Sequence, residues 1–185
     1  MTLITALPVL VAIAGAAYVA GVYNQIVKAG VKIEKAWANI TVLEKQRYEE
    51  IPRLVQICSD YMKYERGTLE KVIQARAQYL EARTPSATAQ ADASLLLGLN
   101  KLFAVAENYP ELKAHENFAK LQRRISDLEC QIADRREFFN DAVAIFNTRI
   151  QQVPHSLLAA LMGYQPQEMY RVDEEERQNA QVDLR

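Results

Sequence analysis

The chain begins with an apolar run that contains no charged side chain before Lys28. Its stretch from Leu3 to Val22 holds 20 residues. These would form about 30 Å of α-helix, which matches the hydrocarbon core of a bilayer. Pro8 lies in the first third of the run, where a membrane helix tolerates proline. The pattern predicts a transmembrane anchor over residues 1–23.

Two other interpretations of this run stay open. A cleaved signal peptide could use Ala14 and Ala16 as its small-residue cleavage site, but such peptides normally begin with Lys or Arg, which the run lacks. A buried helix of a soluble protein could have the same composition. If the run is an anchor, the positive-inside rule places the rest of the chain in the cytoplasm, because basic residues follow the run. Those residues could also contact anionic lipid headgroups: Lys28, Lys32 and Lys35.

Small residues recur along the predicted anchor at helical spacing. Ala12, Ala16 and Ala20 fall four positions apart, as do Ala17 and Gly21, and this spacing would allow two membrane helices to approach closely. Alanine is also common in membrane spans that do not associate. The spacing therefore gives a possible helix–helix interface for a homo-oligomer, formed by Ala12, Ala16, Ala20 and Gly21.

After the anchor, apolar residues repeat every seven positions on two parallel lattices, which is typical of the buried stripe of a long helix. Pro52 falls inside this stripe without the glycine or loop residues that a hairpin normally needs. The pattern predicts one long, kinked helix over 24–83, with a sharp break at Glu50 as the alternative. The stripe residues include Ile26, Ile33, Trp37, Ile40, Ile51, Leu54, Cys58, Tyr61, Val72 and Tyr79.

The second half of the chain predicts two more helices joined by a corner. Residues 82–92 are small and polar and indicate a connector, which a helix over 90–108 follows. Pro110 disfavours helical geometry at Tyr109, so the stretch "NYPELKAHEN" indicates a helix-to-helix corner.

Apolar residues then recur every three or four positions across 112–152, except for a longer step at Arg135–Arg136, and predict a third long helix that ends before Pro154. A short helix that stops at Gly163 follows, and the tail over 171–185 is polar enough to be disordered.

These elements define an all-α protein. Helices this long in a chain of 185 residues must pack side by side. We therefore expect a transmembrane helix followed by an elongated antiparallel bundle of three to four long helices, which occupies residues 24–170.

Charge and cysteine content narrow the function. The chain carries 22 basic and 23 acidic residues, so nothing favours a nucleic-acid partner. Cys58 and Cys130 both fall on faces that the pattern marks as apolar, and we expect two small buried side chains. A disulfide between them is the less favoured alternative.

No catalytic or metal-binding motif is found in the sequence. His115 and Glu116 are adjacent, but no second histidine follows at the spacing of a zinc protease. Neither histidine has a glutamate three residues before it, as a di-iron bundle requires. We expect no catalytic residue, no metal and no cofactor. A carboxylate metal site, if one formed, would draw on Glu65, Glu107, Glu116 and Glu129.

Several polar side chains interrupt the apolar stripes. If they are buried they must pair, because an unpaired interior charge is costly. They could form interhelical ion pairs that fix the helix register, or they could line a polar groove for a partner. The charged members are Glu44, Arg47, Glu65, Arg135 and Arg136. Four asparagines could make interhelical hydrogen bonds: Asn24, Asn39, Asn140 and Asn147.

Short motifs along residues 23 to 170 resemble those of LemA-family proteins. They are "YNQIV" at 23, "AWANI" at 36, "IPRLV" at 51, "LEKVIQAR" at 69, "AENYPELKAHENFAKLQRRI" at 106, "NDAVAIFNTRI" at 140 and "LLAALMGY" at 157. One departure is Tyr64–Glu65, where members of the family often carry His-Glu. The residues that we single out for packing are Trp37, Pro52, Tyr109, Pro110, Leu112, Asn117, Phe118, Asn140 and Asn147.

The resemblance implies a bacterial envelope protein with one N-terminal membrane helix and an all-helical domain, usually on the cytoplasmic side. The family has no settled molecular activity. We therefore expect a membrane-anchored interaction or scaffold protein without catalytic activity, bound to lipid and to protein partners of unknown identity. A self-assembling structural oligomer is the first alternative, and a metal-binding or enzymatic bundle is the second.

Overall fold

The computed structural model describes the backbone of residues 2–171 and the side chains of residues 7–171. Within this part of the chain all regular structure is helical, which confirms the all-α class. The disordered tail predicted over 171–185 lies, beyond Arg171, outside the described residues. The helices are α1 (Thr2–Tyr61), α2 (Arg66–Glu81), α3 (Pro85–Ala106), α4 (Pro110–Lys113), α5 (Glu116–Gln151) and α6 (His155–Leu161).

The helices form two compact units. The first unit comprises Met1–Trp37 and Phe138–Gln167, and the second comprises Ala38–Glu137 and Glu168–Arg185. Both α1 and α5 therefore contribute one end to each unit.

The long first helix is 60 residues long and continues through Pro52, whose side chain is exposed. The alternative of a break at Glu50 is therefore wrong. The prediction that the helix reaches residue 83 is also wrong, because α1 ends at Tyr61 and α2 begins at Arg66. The apolar pattern does not reveal this turn, because the buried residues before and after it, Cys58 and Val72, keep the same seven-residue spacing.

In the second unit, α2 folds back along α1 as an antiparallel hairpin. The Tyr79 hydroxyl donates a hydrogen bond to Glu44, and Arg76 Nε donates to the Tyr48 carbonyl at 3.3 Å. Each pair is nearly centred on the turn at residues 62–65, as an antiparallel pair requires. Buried apolar side chains from α1, α2, α3 and α5 make up the core of this unit.

Helix α3 begins earlier than expected. The Thr84 hydroxyl caps it by accepting a hydrogen bond from the Ala87 amide at 3.1 Å. Pro85 takes the first helical position, where its missing N–H and fixed φ suit a helix start. The connector predicted over 82–92 is therefore wrong for most of its length. Threonine and proline end one helix and start the next.

A short corner joins α3 to α5, as the tyrosine–proline motif predicts. Tyr109 precedes the single turn of α4, and α5 then starts at Glu116, four residues later than expected. Leu112 is fully buried at this corner. Phe118 is also buried and meets Phe103 of α3 with ring centroids 6.4 Å apart.

The first unit pairs the start of α1 with the end of α5. Trp37 meets Phe139 with ring centroids 5.2 Å apart, and Arg149 Nη1 donates to the Gln25 carbonyl at 3.1 Å. The two helices therefore run antiparallel. Helix α5 ends at Gln151, and Val153, two residues beyond it, is 80% exposed.

After α6 the chain reverses at Gly163, whose φ of 71° favours glycine. It then runs back along α5. Tyr164 meets Phe146 with ring centroids 5.9 Å apart, and the Gln167 amide donates to Asn147 Oδ1 at 2.8 Å.

Candidate functional site

The most concentrated chemistry in the described chain is a cluster of charged side chains inside the second unit. We call this cluster the charge network. Its members come from α1, α3 and α5, so each helix contributes a charge that another helix neutralises. They are Glu44 and Arg47 of α1, Asp92 of α3, and Glu129 and Arg136 of α5.

Arg47 lies at the centre of the charge network and is completely buried. One guanidinium nitrogen pairs with Asp92, and the other donates to Glu129 at 2.5 Å. Burial by itself would lower the pKa of Arg47, but the two carboxylates raise it above its ordinary value. Arg47 therefore remains charged, and it holds α1, α3 and α5 in one register.

Arg136 of α5 is the second cation and is mostly buried. Its Nη2 lies 2.7 Å from Asp92 Oδ2 and 3.5 Å from Glu44 Oε1. The guanidinium also lies over the ring of Tyr170, 4.5 Å from the ring centroid, in a cation–π arrangement. Asp92 is thus shared between both arginines, one on each carboxylate oxygen.

Glu44 is the buried acid with the weakest compensation. Burial raises its pKa above the ordinary value of 4.5, although the hydrogen bond from Tyr79 and the charge of Arg136 oppose the shift. The same burial, together with Glu44, raises the pKa of Tyr79, so that its hydroxyl stays a donor. Three acids, Glu44, Asp92 and Glu129, share two arginines here, so the negative charges of the charge network outnumber the positive ones.

Of the two interpretations of the polar residues that interrupt the stripes, the structure supports interhelical ion pairs for three of them. Glu44, Arg47 and Arg136 join as interhelical ion pairs. Arg135 is exposed, and Glu65 lies just before α2. Both fall outside the charge network.

The sequence does not reveal two members of the charge network, Asp92 and Glu129, or the aromatic neighbour Tyr170. Asp92 lies in the stretch that the pattern predicts as a connector, and the sequence suggests for Glu129 only the role of a metal ligand. Tyr170 carried no pattern of its own. A buried arginine on α1 could have prompted a search for acids on the other helices, because such a charge must be paired.

A surface groove lies between α2 and α3, with a volume of about 600 Å³. Gly98 of α3 packs against Val72 of α2, where a Cβ would lie at an ordinary contact distance of 3.4 Å. Leu97 supplies exposed apolar surface. Lys71 and Lys101 line the groove together with amide side chains, and its lining includes no acidic residue.

The two histidines lie beside different residues. His115 meets the ring of Tyr61 with centroids 5.8 Å apart, and His155 Nε2 lies 3.3 Å from Gln25 Oε1. Among the described residues, no group of three His, Cys, Asp or Glu side chains is arranged to hold a metal ion.

The cysteines differ in their surroundings. Cys58 is buried, and burial raises the pKa of its thiol to about 12. Cys130 is exposed, so its predicted burial is wrong, and neither cysteine is in a disulfide.

The remaining residues singled out from the sequence lie in varied settings. The Asn147 side chain donates a hydrogen bond to the Gln167 carbonyl and accepts one from the Gln167 amide. Asn140 is half-buried and Asn117 is exposed. Pro110 is exposed at the start of α4. The small residues of the predicted anchor all lie on exposed helix surface: Ala12, Ala16, Ala20 and Gly21.

Comparison with known proteins identifies the family of this helical protein. The model of the LemA family matches residues 36–184, which is most of the chain. The chain therefore belongs to the LemA family.

The chain is also similar, over a shorter segment, to two magnetosome proteins. Magnetosome protein MamQ of Magnetospirillum gryphiswaldense is 30% identical over 80 residues, or 43% of this chain and 29% of that protein. Magnetosome protein MamQ 2 of Paramagnetospirillum magneticum is 30% identical over 81 residues, or 44% of this chain and 30% of that protein. The matched segment thus covers less than a third of these relatives.

Proposed function

We propose that this protein is a membrane-anchored interaction protein that presents a helical bundle to other proteins and catalyses no reaction. The observation that carries the proposal is the character of α1. Its side chains from Leu7 to Gly21 are all exposed and apolar or small, whereas buried positions recur from Val22 onward. One continuous helix thus has an exposed apolar N-terminal part and a C-terminal part that packs in the helical domain. By length and composition it could cross a membrane.

The charge network supports a structural rather than a catalytic use of the polar side chains. Its charges are directed at one another across three helices, and Arg47 has no exposed surface. Geometry of this kind fixes the relative register of helices. The outer surfaces of the bundle remain to make contacts with partners.

The groove between α2 and α3 is the surface that we assign to a protein partner. Its two lysines and its exposed leucine match an acidic, partly apolar segment. A photoreactive amino acid at Lys71 or Lys101 should give discrete heavier products in membranes, while the same group at exposed Asp127 of α5 should not. Equal crosslinking from all three positions, or none from any, would count against this assignment.

Orientation belongs to the same proposal. Lys28, Lys32 and Lys35 favour a cytoplasmic bundle by the positive-inside rule. Exposed Cys130 provides the test. A membrane-impermeant maleimide should label it in ruptured cells but not in cells with an intact inner membrane. Labelling of intact spheroplasts would reverse the orientation.

Self-assembly is the second candidate function. It is favoured by Ala12, Ala16 and Ala20, which lie four residues apart on exposed helix surface, because such spacing permits close packing of membrane helices. Replacing Ala16 by Leu should then disperse oligomers in detergent, as measured by light scattering. A strict monomer at high concentration would exclude this candidate.

A further inference from the structure

A second charge-free stretch follows the long helices. No Lys, Arg, Asp or Glu occurs between Arg149 and Glu168, although these four residue types make up 24% of the chain. The stretch contains the end of α5 and all of α6. Surface segments that face only water normally carry charged side chains, so a different environment would explain their absence here.

The first unit places this stretch next to the apolar run of α1. His155, the first residue of α6, lies 3.3 Å from Gln25 through its Nε2 atom. Gln25 is three residues beyond Val22, where the predicted span ends, or about 5 Å along the helix. Because α5 runs toward the N-terminus of α1, the turn into α6 lies at the level where the span would leave the bilayer.

Helix α6 exposes an apolar face at this level. Leu157 and Leu161 are one helical turn apart and are 72% and 83% exposed, while Ala159 is buried. Val153, just before the helix, is also largely exposed. Large apolar side chains this exposed are unfavourable in water and mark a contact surface.

We propose that α6 is a second membrane contact, in which Val153, Leu157 and Leu161 insert into the lipid interface. This inference rests on the proposed anchor, since the anchor brings the bilayer surface to this end of the first unit. Lipid is the occupant that fits, because α6 begins beside Gln25, three residues beyond the apolar run of α1, and its exposed face lacks charge. Tyr18 and Tyr23, both exposed on α1, flank the same level, where membrane proteins often carry tyrosine.

A spin-label experiment on the full chain in lipid vesicles tests the proposal. In a Cys130→Ser background, a nitroxide is attached at Leu161→Cys, while buried Cys58 remains protected. Collisions with oxygen, which concentrates in lipid, are compared with collisions with a water-soluble nickel chelate. Leu10→Cys serves as the reference within the span and Leu80→Cys as the exposed reference on α2.

We expect position 161 to resemble position 10, with several-fold higher collision rates for oxygen than for the nickel chelate, and position 80 to show the reverse. If position 10 reports lipid but position 161 reports water, the α6 contact is overturned and the anchor stands. If position 10 itself reports water, both the anchor and the α6 contact are overturned.

Discussion

The replacement of Arg47 by methionine tests the structural role of the charge network. Methionine keeps much of the side-chain volume but removes the cation that pairs with Asp92 and Glu129. Removal of one partner from a buried ion pair costs about 3–5 kcal/mol, because the remaining charge stays desolvated.

The structure places the expected cost of Arg47→Met near the lower end of this range. Asp92 keeps Arg136 as a partner at 2.7 Å, and Glu129 is 17% exposed and can gain water. We therefore expect a loss of about 3 kcal/mol in the free energy of unfolding. For a chain of this size, this corresponds to a fall in Tm of about 6–12 °C.

Arg124→Met is the matched control. Arg124 also pairs with a carboxylate, its Nε lying 2.7 Å from Glu50, but its side chain is 58% exposed. Glu50 is buried but keeps Arg53 as a second partner at 3.4 Å, and the guanidinium of Arg124 is screened by water, so its removal should cost about 1 kcal/mol. Thermal unfolding of the detergent-solubilised chain, followed by circular dichroism, should separate the two variants clearly.

The buried-charge explanation also predicts non-additivity. In a Glu129→Gln background, Arg47→Met should cost less than in the wild-type chain, because one of the acids that it leaves unpaired is already neutral. If Arg47→Met lowers Tm no more than Arg124→Met does, the reasoning is refuted.

Three further predictions follow from the second unit. Burial raises the pKa of Glu44, so the stability that the protonated side chain contributes is present below pH 4.5 and is lost as pH rises through the folded-state pKa. In urea titrations, Glu44→Gln should therefore become more stable relative to wild type as pH rises through that range. A stability difference that does not change with pH would contradict this. Tyr79→Phe removes the hydrogen bond to Glu44 and should cost about 1–3 kcal/mol, while Tyr48→Phe, whose hydroxyl has no hydrogen-bond partner among the described residues, should cost clearly less in the same denaturation assay; equal losses would argue against this. A maleimide should modify Cys130 of the folded chain within minutes and Cys58 only after denaturation, as mass spectrometry would show; rapid modification of both would mean that the core is open.

The sequence was sufficient where one local signal decided the structure. The helical period alone located the buried faces of α1 and α5, and Pro110 placed the corner because proline restricts the residue before it. It failed where two structures share one signal. The stripe through Cys58 and Val72 fits a continuous helix as well as a hairpin whose two arms bury the same phase.

The site was harder to predict because its members are far apart in the chain. Arg47 lies 45 residues from Asp92 and 82 from Glu129. A periodic pattern shows that Arg47 points inward, but only the packed helices show which acids it meets. The same pattern shows that Glu44 and Arg136 interrupt the apolar stripes, but it does not show which residues they pair with.

The central claim is that residues 3–22 hold the bundle in a membrane, and alkaline extraction tests it most directly. Membranes from cells that produce the full chain are washed with carbonate and separated by centrifugation. We expect the wild-type chain to stay in the membrane pellet and a variant with Leu10→Lys and Ile13→Lys to be released. Release of the wild-type chain into the wash would contradict the account.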